Sequence, residues 1–256
     1  MGAKTSLLAY TDGDVAELLR AGAVARRDAT AALIARVFPG WTVEPADATS
    51  LDDAVHPPAG TAYAGAFPGV DLVCDRRLPL GAPSRLPDRL IEPGRHRRVI
   101  SHAMHSVSDW FAFSVWDNGE LVRSLSLDPD NGVVENTGEP FAFEAPFWSG
   151  EHPVQPTQGW PDRGPYPLPF HPLDLGEAAL RELFGFILEG SPSPADIDPD
   201  AVELHGFRLH DPAAPDPAVA HMQQLIRRMR RRSYTYAADG SLVEIDLENR
   251  EQPGAG

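Results

Sequence analysis

Two neighbouring β-prone segments joined by a tight turn constrain the fold of this chain more than any other feature. Residues 110–116 (WFAFSVW) are apolar at both alternating positions, which is typical of a strand that is buried on both faces. The dipeptide Asn118-Gly119 follows, and it favours a type I′ turn because that turn needs positive φ at both central positions. Residues 121–127 form the returning strand. We therefore expect a hairpin inside a sheet, with other elements covering both faces.

The surrounding sequence extends this hairpin into an antiparallel meander over residues 99–146. Residues 99–107 supply a preceding strand, and the turn 128–132 (DPDNG) leads to short strands predicted at 133–136 and 141–144. Further strands are predicted elsewhere in the chain, at 4–10, 41–44, 69–76, 202–209, 233–237 and 242–247.

Helices are predicted where a capping residue precedes apolar residues at helical spacing. Four aspartates mark these starts: Asp12, Asp28, Asp174 and Asp216. Because the predicted helices and strands do not alternate regularly, the pattern favours an α+β fold over a doubly wound one. We predict a central, largely antiparallel sheet that is built on the meander and flanked by several helices.

Proline-rich segments indicate how the chain is divided. The basic segment 78–98 contains several prolines and is expected to be an exposed connection. The Ser-Pro-Ser-Pro segment at 191–194 is consistent with a boundary after a main α+β domain at 1–190. Residues 195–247 form a strand–helix–hairpin segment that we expect to pack on the same domain, and the tail 248–256 is expected to be disordered.

The charge and composition narrow the class of partner. The net charge of −15 repels nucleic acid and anionic lipid, so neither a nucleic-acid partner nor a membrane is expected. Lys4 is the only lysine, and the heavy use of Arg, Ala, Pro and Gly suggests a GC-rich bacterial genome. The N-terminus lacks the apolar segment of a signal peptide, and no window approaches the roughly 18 apolar residues of a membrane span. We expect a cytoplasmic protein.

The motifs that would indicate a cofactor or a metal are missing from the sequence. Cys74 is the only cysteine, which excludes an intramolecular disulfide and a cysteine-rich zinc site. No glycine-rich phosphate loop or nucleotide fingerprint occurs, so no cofactor is predicted. His102 and His105 are three residues apart on a predicted strand and should point to opposite faces, which disfavours a shared metal ion.

Two sets of residues are candidates for catalysis. His105 lies beside Ser106, Ser108 and Asp109, the residue types of a hydrolase triad, although the Gly-x-Ser-x-Gly elbow is missing. Glu144 precedes the long aromatic segment 146–172 and His171 lies near its end, and these two residues form the second set. A hydrolase site would combine them with nearby side chains, namely Arg123 and Trp148.

Arg123 and Trp148 are also candidates for binding a ligand. Arg123 shares a strand face with Leu121 and Leu125, and a half-buried arginine needs a carboxylate partner. One of the glutamates at the end of the meander, Glu135, Glu139 or Glu144, would supply it. A structural ion pair and a ligand-gripping arginine are both compatible with this pattern.

Two further groups of charged residues are candidates for contacts with a ligand or partner. Asp75 and Arg76 end the predicted strand 69–76, where functional polar residues are often found, although they could equally mark the exit of the strand into solvent. The arginine-rich helix predicted at 218–232 offers a partner-binding surface. Its candidate residues are Arg227, Arg228 and Arg231, which could instead pair with carboxylates of the same chain.

Several segments in order along the chain carry a family resemblance. They are Met-Gly-Ala-Lys-Thr (1–5), DLVCDR (71–76), GEPFAFEAPFW (138–148) and PLPFHPL (167–173). With these segments the chain resembles an uncharacterised family of actinobacterial proteins. The resemblance implies a bacterial source and a cytoplasmic compartment, and it carries no site residue.

The leading hypothesis for function is a non-catalytic binding or protein-interaction domain, whose partner is another protein. The first alternative is a hydrolase-type enzyme with a site near Arg123, Glu144, Trp148 and His171. The second is a regulatory protein that uses the arginine-rich helix.

Overall fold

The computed structural model describes residues 2–20, 24–154, 166–213, 233–236 and 242–245. These residues fall into two compact units, residues 1–212 and residues 213–256. The second unit contains an antiparallel pair of strands, β10 (Ser233–Tyr236) and β11 (Leu242–Ile245). The predicted helix 218–232 and the predicted disordered tail 248–256 lie outside the described residues.

The first unit contains one sheet of nine strands, in which every neighbouring pair is antiparallel. The spatial order is β2-β9-β3-β4-β1-β5-β6-β7-β8. In chain order the strands are β1 (Lys4–Thr11), β2 (Thr42–Ser50), β3 (Thr61–Phe67), β4 (Val70–Asp75), β5 (Arg98–His105), β6 (Trp110–Asp117), β7 (Glu120–Asp128), β8 (Gly132–Thr137) and β9 (Glu203–His210). The predicted α+β fold with an antiparallel meander is confirmed.

Six α-helices accompany this sheet in the described ranges. They are α1 (Val15–Arg20), α2 (Arg27–Val37), α3 (Leu51–Ala54), α4 (Asp88–Ile91), α5 (Ala145–Trp148) and α6 (Pro172–Phe184). The core on one face joins α1, α3 and α6 to the sheet, whereas the core on the other face contains α2 and α4. Strand β6 is therefore buried on both sides, as predicted, with Phe113 and Ser114 both fully buried. None of the described helices is long and apolar enough to cross a bilayer.

The predicted hairpin turn after β6 is confirmed. Asn118 and Gly119 have φ values of 52° and 82°, so both residues occupy the left-handed region that a type I′ turn requires. Asparagine and glycine adopt this conformation at the lowest steric cost. Local sequence alone was sufficient to predict this connection.

Several predicted element boundaries were wrong. Residues 61–67 (TAYAGAF) were not predicted as a strand, because alanine and glycine carry little β-propensity, yet they form the interior strand β3. Residues 141–144, predicted as a strand, instead contain a 3₁₀ turn at Ala142–Glu144. Helix α6 begins at Pro172, with His171 as its N-cap, rather than after Asp174. Proline is favoured at the first position of a helix because it has no N–H to leave unpaired.

The segment 78–98 is also more structured than the sequence predicted. It contains α4 and two 3₁₀ turns, Pro83–Arg85 and Glu92–Gly94. Its apolar side chains are buried against the sheet, namely those of Leu78, Leu86 and Leu90. The prolines and arginines of this segment favoured an exposed connection, whereas its three leucines, at irregular spacing, pack it against the sheet.

Candidate functional site

Arg123 and Glu144 form a fully buried ion pair. Arg123 lies on β7, Glu144 ends the 3₁₀ turn Ala142–Glu144, and both side chains are 0% exposed. Arg123 Nε donates to Glu144 Oε1 at 2.9 Å, and Nη2 donates to Oε2 at 2.6 Å. This bidentate geometry is the strongest that arginine and a carboxylate can form. Of the three glutamates that the sequence offered as partners for Arg123, the structure pairs it with Glu144.

The remaining polar atoms of this pair are also hydrogen-bonded. Arg123 Nη1 donates to Asn136 Oδ1 at 2.6 Å and to the Thr137 carbonyl at 3.0 Å. Glu144 accepts from the Phe141 N–H at 2.8 Å and from Trp148 Nε1 at 3.4 Å. The geometry is that of a structural link between β7, β8 and the turn before α5. The proposed ligand-binding or catalytic use of Arg123, Glu144 and Trp148 stays a prediction.

His171 lies next to Asp109 at the start of α6. His171 Nδ1 accepts a hydrogen bond from the Leu173 N–H at 3.3 Å, and Nε2 lies 3.6 Å from Asp109 Oδ2. Each ring nitrogen therefore faces a protein group. A general base needs one nitrogen directed at the nucleophile instead. His171 and Asp109 are brought together by the fold, but this arrangement suits an N-cap better than a catalytic dyad.

Asp75 pairs with Arg77 rather than with its neighbour Arg76. The Asp75 side chain is buried, and Arg77 Nε donates to its Oδ1 at 2.7 Å, while Arg77 Nη2 reaches the other oxygen. The Arg77 guanidinium also lies 4.3 Å from the ring centre of Trp41 and 5.0 Å from that of Phe38. These contacts anchor Asp75 and Arg77 and leave Arg76 exposed to solvent.

Four basic residues lie at one end of the sheet, and we call Lys4, His56, Arg76 and His105 the basic cluster. Strand β1 is antiparallel to both β4 and β5, so its start lies beside their ends. Lys4 is directly paired with His105 in this register, and Arg76 immediately follows β4. His56 follows α3, and its ring centre lies 6.3 Å from that of His105.

The charged groups that act on His56 within the basic cluster are positive. Burial, followed by the charges of Arg76, Lys4 and His105, lowers the pKa of His56 below its ordinary value. Each of these charged neighbours is basic. Over the residues that the structure describes, Lys4 and Arg76 make no ion pair with a carboxylate.

One atom of the basic cluster is also left without a hydrogen bond. His105 Nδ1 is buried and has no partner in the described part of the chain. Buried polar atoms in native proteins are nearly always paired, so an unpaired one needs an explanation. His102 is different, because Thr5 and the Gly176 carbonyl engage both of its ring nitrogens. The two histidines have separate neighbours, as their odd spacing predicted.

Sequence reasoning identified only half of the basic cluster. Arg76 and His105 were predicted as site residues, but separately and for different roles. Lys4 and His56 were not, because Lys4 meets His105 through the pairing of strands about a hundred residues apart, and His56 meets it through a ring contact from outside the strands. The candidate partner-binding arginines Arg227, Arg228 and Arg231 lie outside the described residues.

Comparison with known proteins identifies a family for this chain. The model of a family of unknown function, DUF6928, matches residues 5–207. The chain belongs to this family. The DUF6928 region includes His56, Arg76 and His105 of the basic cluster, as well as the pair Arg123 and Glu144. No curated protein and no solved structure matches the chain significantly.

Proposed function

We propose that this chain is a non-catalytic binding domain that receives an acidic group of another protein at the basic cluster. The observation that carries the proposal is that Lys4, His56, Arg76 and His105 lie together at one end of the sheet and that, in the described part of the chain, no carboxylate forms an ion pair with Lys4 or Arg76. The chain as a whole has a net charge of −15, so carboxylates are abundant elsewhere. Positive charges that stay unpaired on such an acidic chain are available to an external anion.

Holding several positive groups close together raises the free energy of the free protein, and a bound anion offsets this cost. In the free protein, burial and then the positive charges of Arg76, Lys4 and His105 lower the pKa of His56. An anion placed among them replaces repulsion with attraction and guides the encounter of the two partners. The positive charges of Lys4 and Arg76 would repel a metal cation. The chemistry of the basic cluster therefore selects an acidic ligand.

The geometry supports a binding role better than a hydrolase role. The carboxylate of Glu144 is held by Arg123 and accepts two further hydrogen bonds. Both nitrogens of His171 face protein groups. A hydrolytic reaction would have to release these groups before using them. The regulatory alternative, which uses the arginine-rich helix, stays a prediction.

The proposal includes the cytoplasmic location and the actinobacterial source that the sequence suggested. The thiol of Cys74 is buried and forms no disulfide, which is compatible with a reducing compartment.

Fluorescence anisotropy with a labelled acidic peptide tests the proposal. The probe is a seven-residue peptide of Asp and Glu with one central phosphoserine. We expect saturable binding that weakens at high salt and falls at least about tenfold in Arg76→Glu, because reversing this charge makes the field repulsive. Arg27→Glu is the matched control, since Arg27 is an exposed arginine on α2. No saturable binding, or an equal loss in both variants, would contradict the proposal.

A further inference from the structure

We propose that the acidic group bound at the basic cluster is a phosphoryl group and that His56 takes up a proton when it binds. This inference rests on the proposed binding function and deepens it. It is carried by the number of donors in the basic cluster, by the unpaired nitrogen of His105 and by the position of His56 among positive groups.

The donors of the basic cluster outnumber the acceptors of a carboxylate. Lysine carries three N–H donors, arginine carries five, and each histidine adds one or two. They come from four separate segments, namely β1, the residue after β4, β5 and the segment that follows α3. A carboxylate offers two oxygens, whereas a phosphoryl group offers three and carries a charge of about −1.5 to −2 at pH 7. That charge matches the two permanent charges of Lys4 and Arg76.

His105 Nδ1 supplies a buried polar atom with an unmet hydrogen bond. In the tautomer that carries its proton on Nδ1, His105 can donate to an oxygen of a phosphoryl dianion, which only accepts hydrogen bonds. The unpaired nitrogen is therefore one more donor for a bound phosphoryl group.

His56 is the group whose protonation responds most directly to a bound anion. The charged groups that act on it are Lys4 from β1, Arg76 after β4 and His105 from β5. Burial and these positive neighbours hold its pKa below the ordinary value, so His56 is neutral near pH 7 in the free protein. A bound dianion reverses the sign of the local field and favours the charged imidazolium.

This coupling predicts a pH dependence with a definite sign. Lysine and arginine side chains keep their charge between pH 6.5 and 8, and a phosphoryl group is mostly dianionic over this range. Affinity should rise as the pH falls from 8 to 6.5, because protonation of His56 adds an attraction. Partial protonation of the phosphoryl group as the pH falls reduces its negative charge, and this weakly lowers the affinity.

Two sources could present the same chemistry, namely a phosphorylated segment of a protein or a free phosphate. The test therefore uses three probes in calorimetric titrations of the full chain. They are the phosphoserine peptide, the same peptide with glutamate in place of phosphoserine, and inorganic phosphate. Titrations at pH 7 in two buffers with different ionisation enthalpies measure the number of protons taken up on binding.

We expect the phosphoserine peptide to bind at least about tenfold more tightly than the glutamate peptide, with net proton uptake at pH 7. His56→Gln should reduce this uptake and flatten the pH dependence of affinity, whereas His96→Gln, at an exposed histidine, should change neither. Inorganic phosphate binding as tightly as the peptide would assign the site to free phosphate. Weaker phosphate that still competes would assign it to a phosphorylated protein.

The outcomes also separate this inference from the proposed function. If the glutamate peptide binds as tightly as the phosphoserine peptide, the phosphoryl assignment is overturned while the binding function stands. Binding without proton uptake, or uptake that is unchanged in His56→Gln, overturns the proton coupling. If none of the probes binds, both proposals fail. The thermal unfolding of each variant confirms that the altered binding does not arise from loss of the fold.

Discussion

At the scale of single residues, the most consequential interaction is the ion pair between Arg123 and Glu144. Both side chains are 0% exposed, so neither charge can be solvated if its partner is removed. Taking charges out of water is costly, and the bidentate contact together with the further hydrogen bonds of both side chains offsets that cost. Replacing either residue of the pair should therefore destabilise the whole turn before α5.

We predict that Arg123→Met lowers the free energy of unfolding by about 3–5 kcal/mol, because it leaves the Glu144 carboxylate buried without a counter-charge. The double variant Arg123→Met with Glu144→Gln should lose less than the sum of the two single variants. Urea denaturation of all three measures the coupling. Arg98→Ala is the control, since Arg98 pairs with Asp117 in a similar bidentate geometry but is half exposed, and it should cost about 1 kcal/mol or less. Additive losses at the buried pair would contradict the prediction.

At the scale of elements, Glu135 on β8 holds the 3₁₀ turn Pro83–Arg85 against the sheet. Its carboxylate accepts from the Ser84 N–H at 3.0 Å and from Ser84 Oγ at 2.7 Å, and Ser124 Oγ donates to it from β7. The segment 78–98 is therefore packed through a polar contact as well as through its leucines.

We predict that Glu135→Gln loosens this turn without disrupting the sheet. One amide oxygen cannot accept from all three donors, so the variant should lose about 1–2 kcal/mol of unfolding free energy. Hydrogen exchange at the Ser84 amide should become faster, while exchange in the middle of β6 should be unchanged. Glu139→Gln is the control, because Glu139 is an exposed carboxylate close to the same strand. Equal exchange at Ser84 in both variants would show that Glu135 does not hold the turn.

At the scale of the whole molecule, His102 joins the centre of the sheet to α6. Its Nε2–H donates to the Gly176 carbonyl at 2.9 Å, and the Thr5 hydroxyl donates to Nδ1 at 2.8 Å. The same Thr5 oxygen accepts from the Met104 N–H at 2.9 Å. With these contacts, a neutral imidazole has a partner at both ring nitrogens. Burial lowers the pKa of His102 to about 4, against the opposing effect of its bond to Gly176.

We predict that the fold loses stability as the pH falls from about 6.5 to about 4 through this residue. The unfolded chain takes up the proton near pH 6.5, whereas folded His102 resists it until about pH 4, so acid favours unfolding. The contribution is fully present above pH 6.5 and amounts to about 3 kcal/mol. Urea denaturation across this range should show a smaller pH dependence in His102→Gln than in the wild type. His96→Gln should behave as the wild type does, and a matching change there would contradict the assignment.

Local sequence was sufficient to predict the parts of the fold that depend on neighbouring residues. The turn at Asn118-Gly119 follows from the positive φ that these two residues tolerate. The double burial of β6 follows from apolar residues at both alternating positions. The need of Arg123 for a carboxylate follows from its place among leucines on one strand face. Each of these inferences needs only residues that are close along the chain.

The alanine- and glycine-rich strand β3 shows where local sequence was insufficient. Residues 61–67 carry weak β-propensity, and their conformation is imposed by pairing with β4 and β9 on either side. The position of β9 is equally non-local, because the strand lies between β2 and β3 although some 140 residues separate it from β3. The register between strands that are distant along the chain depends on the packing of the whole sheet. A short window of sequence carries no information about that packing.

The sequence by itself determined the class of fold, the hairpin at the centre of the sheet and the acidic character of the chain. The tertiary structure alone decided which charges meet. Glu144, rather than Glu135 or Glu139, became the partner of Arg123, because the 3₁₀ turn carries it back over β7. The basic cluster exists only because the start of β1 lies between the ends of β4 and β5. Coulomb interactions depend on distance in space, and the fold sets that distance independently of separation along the chain.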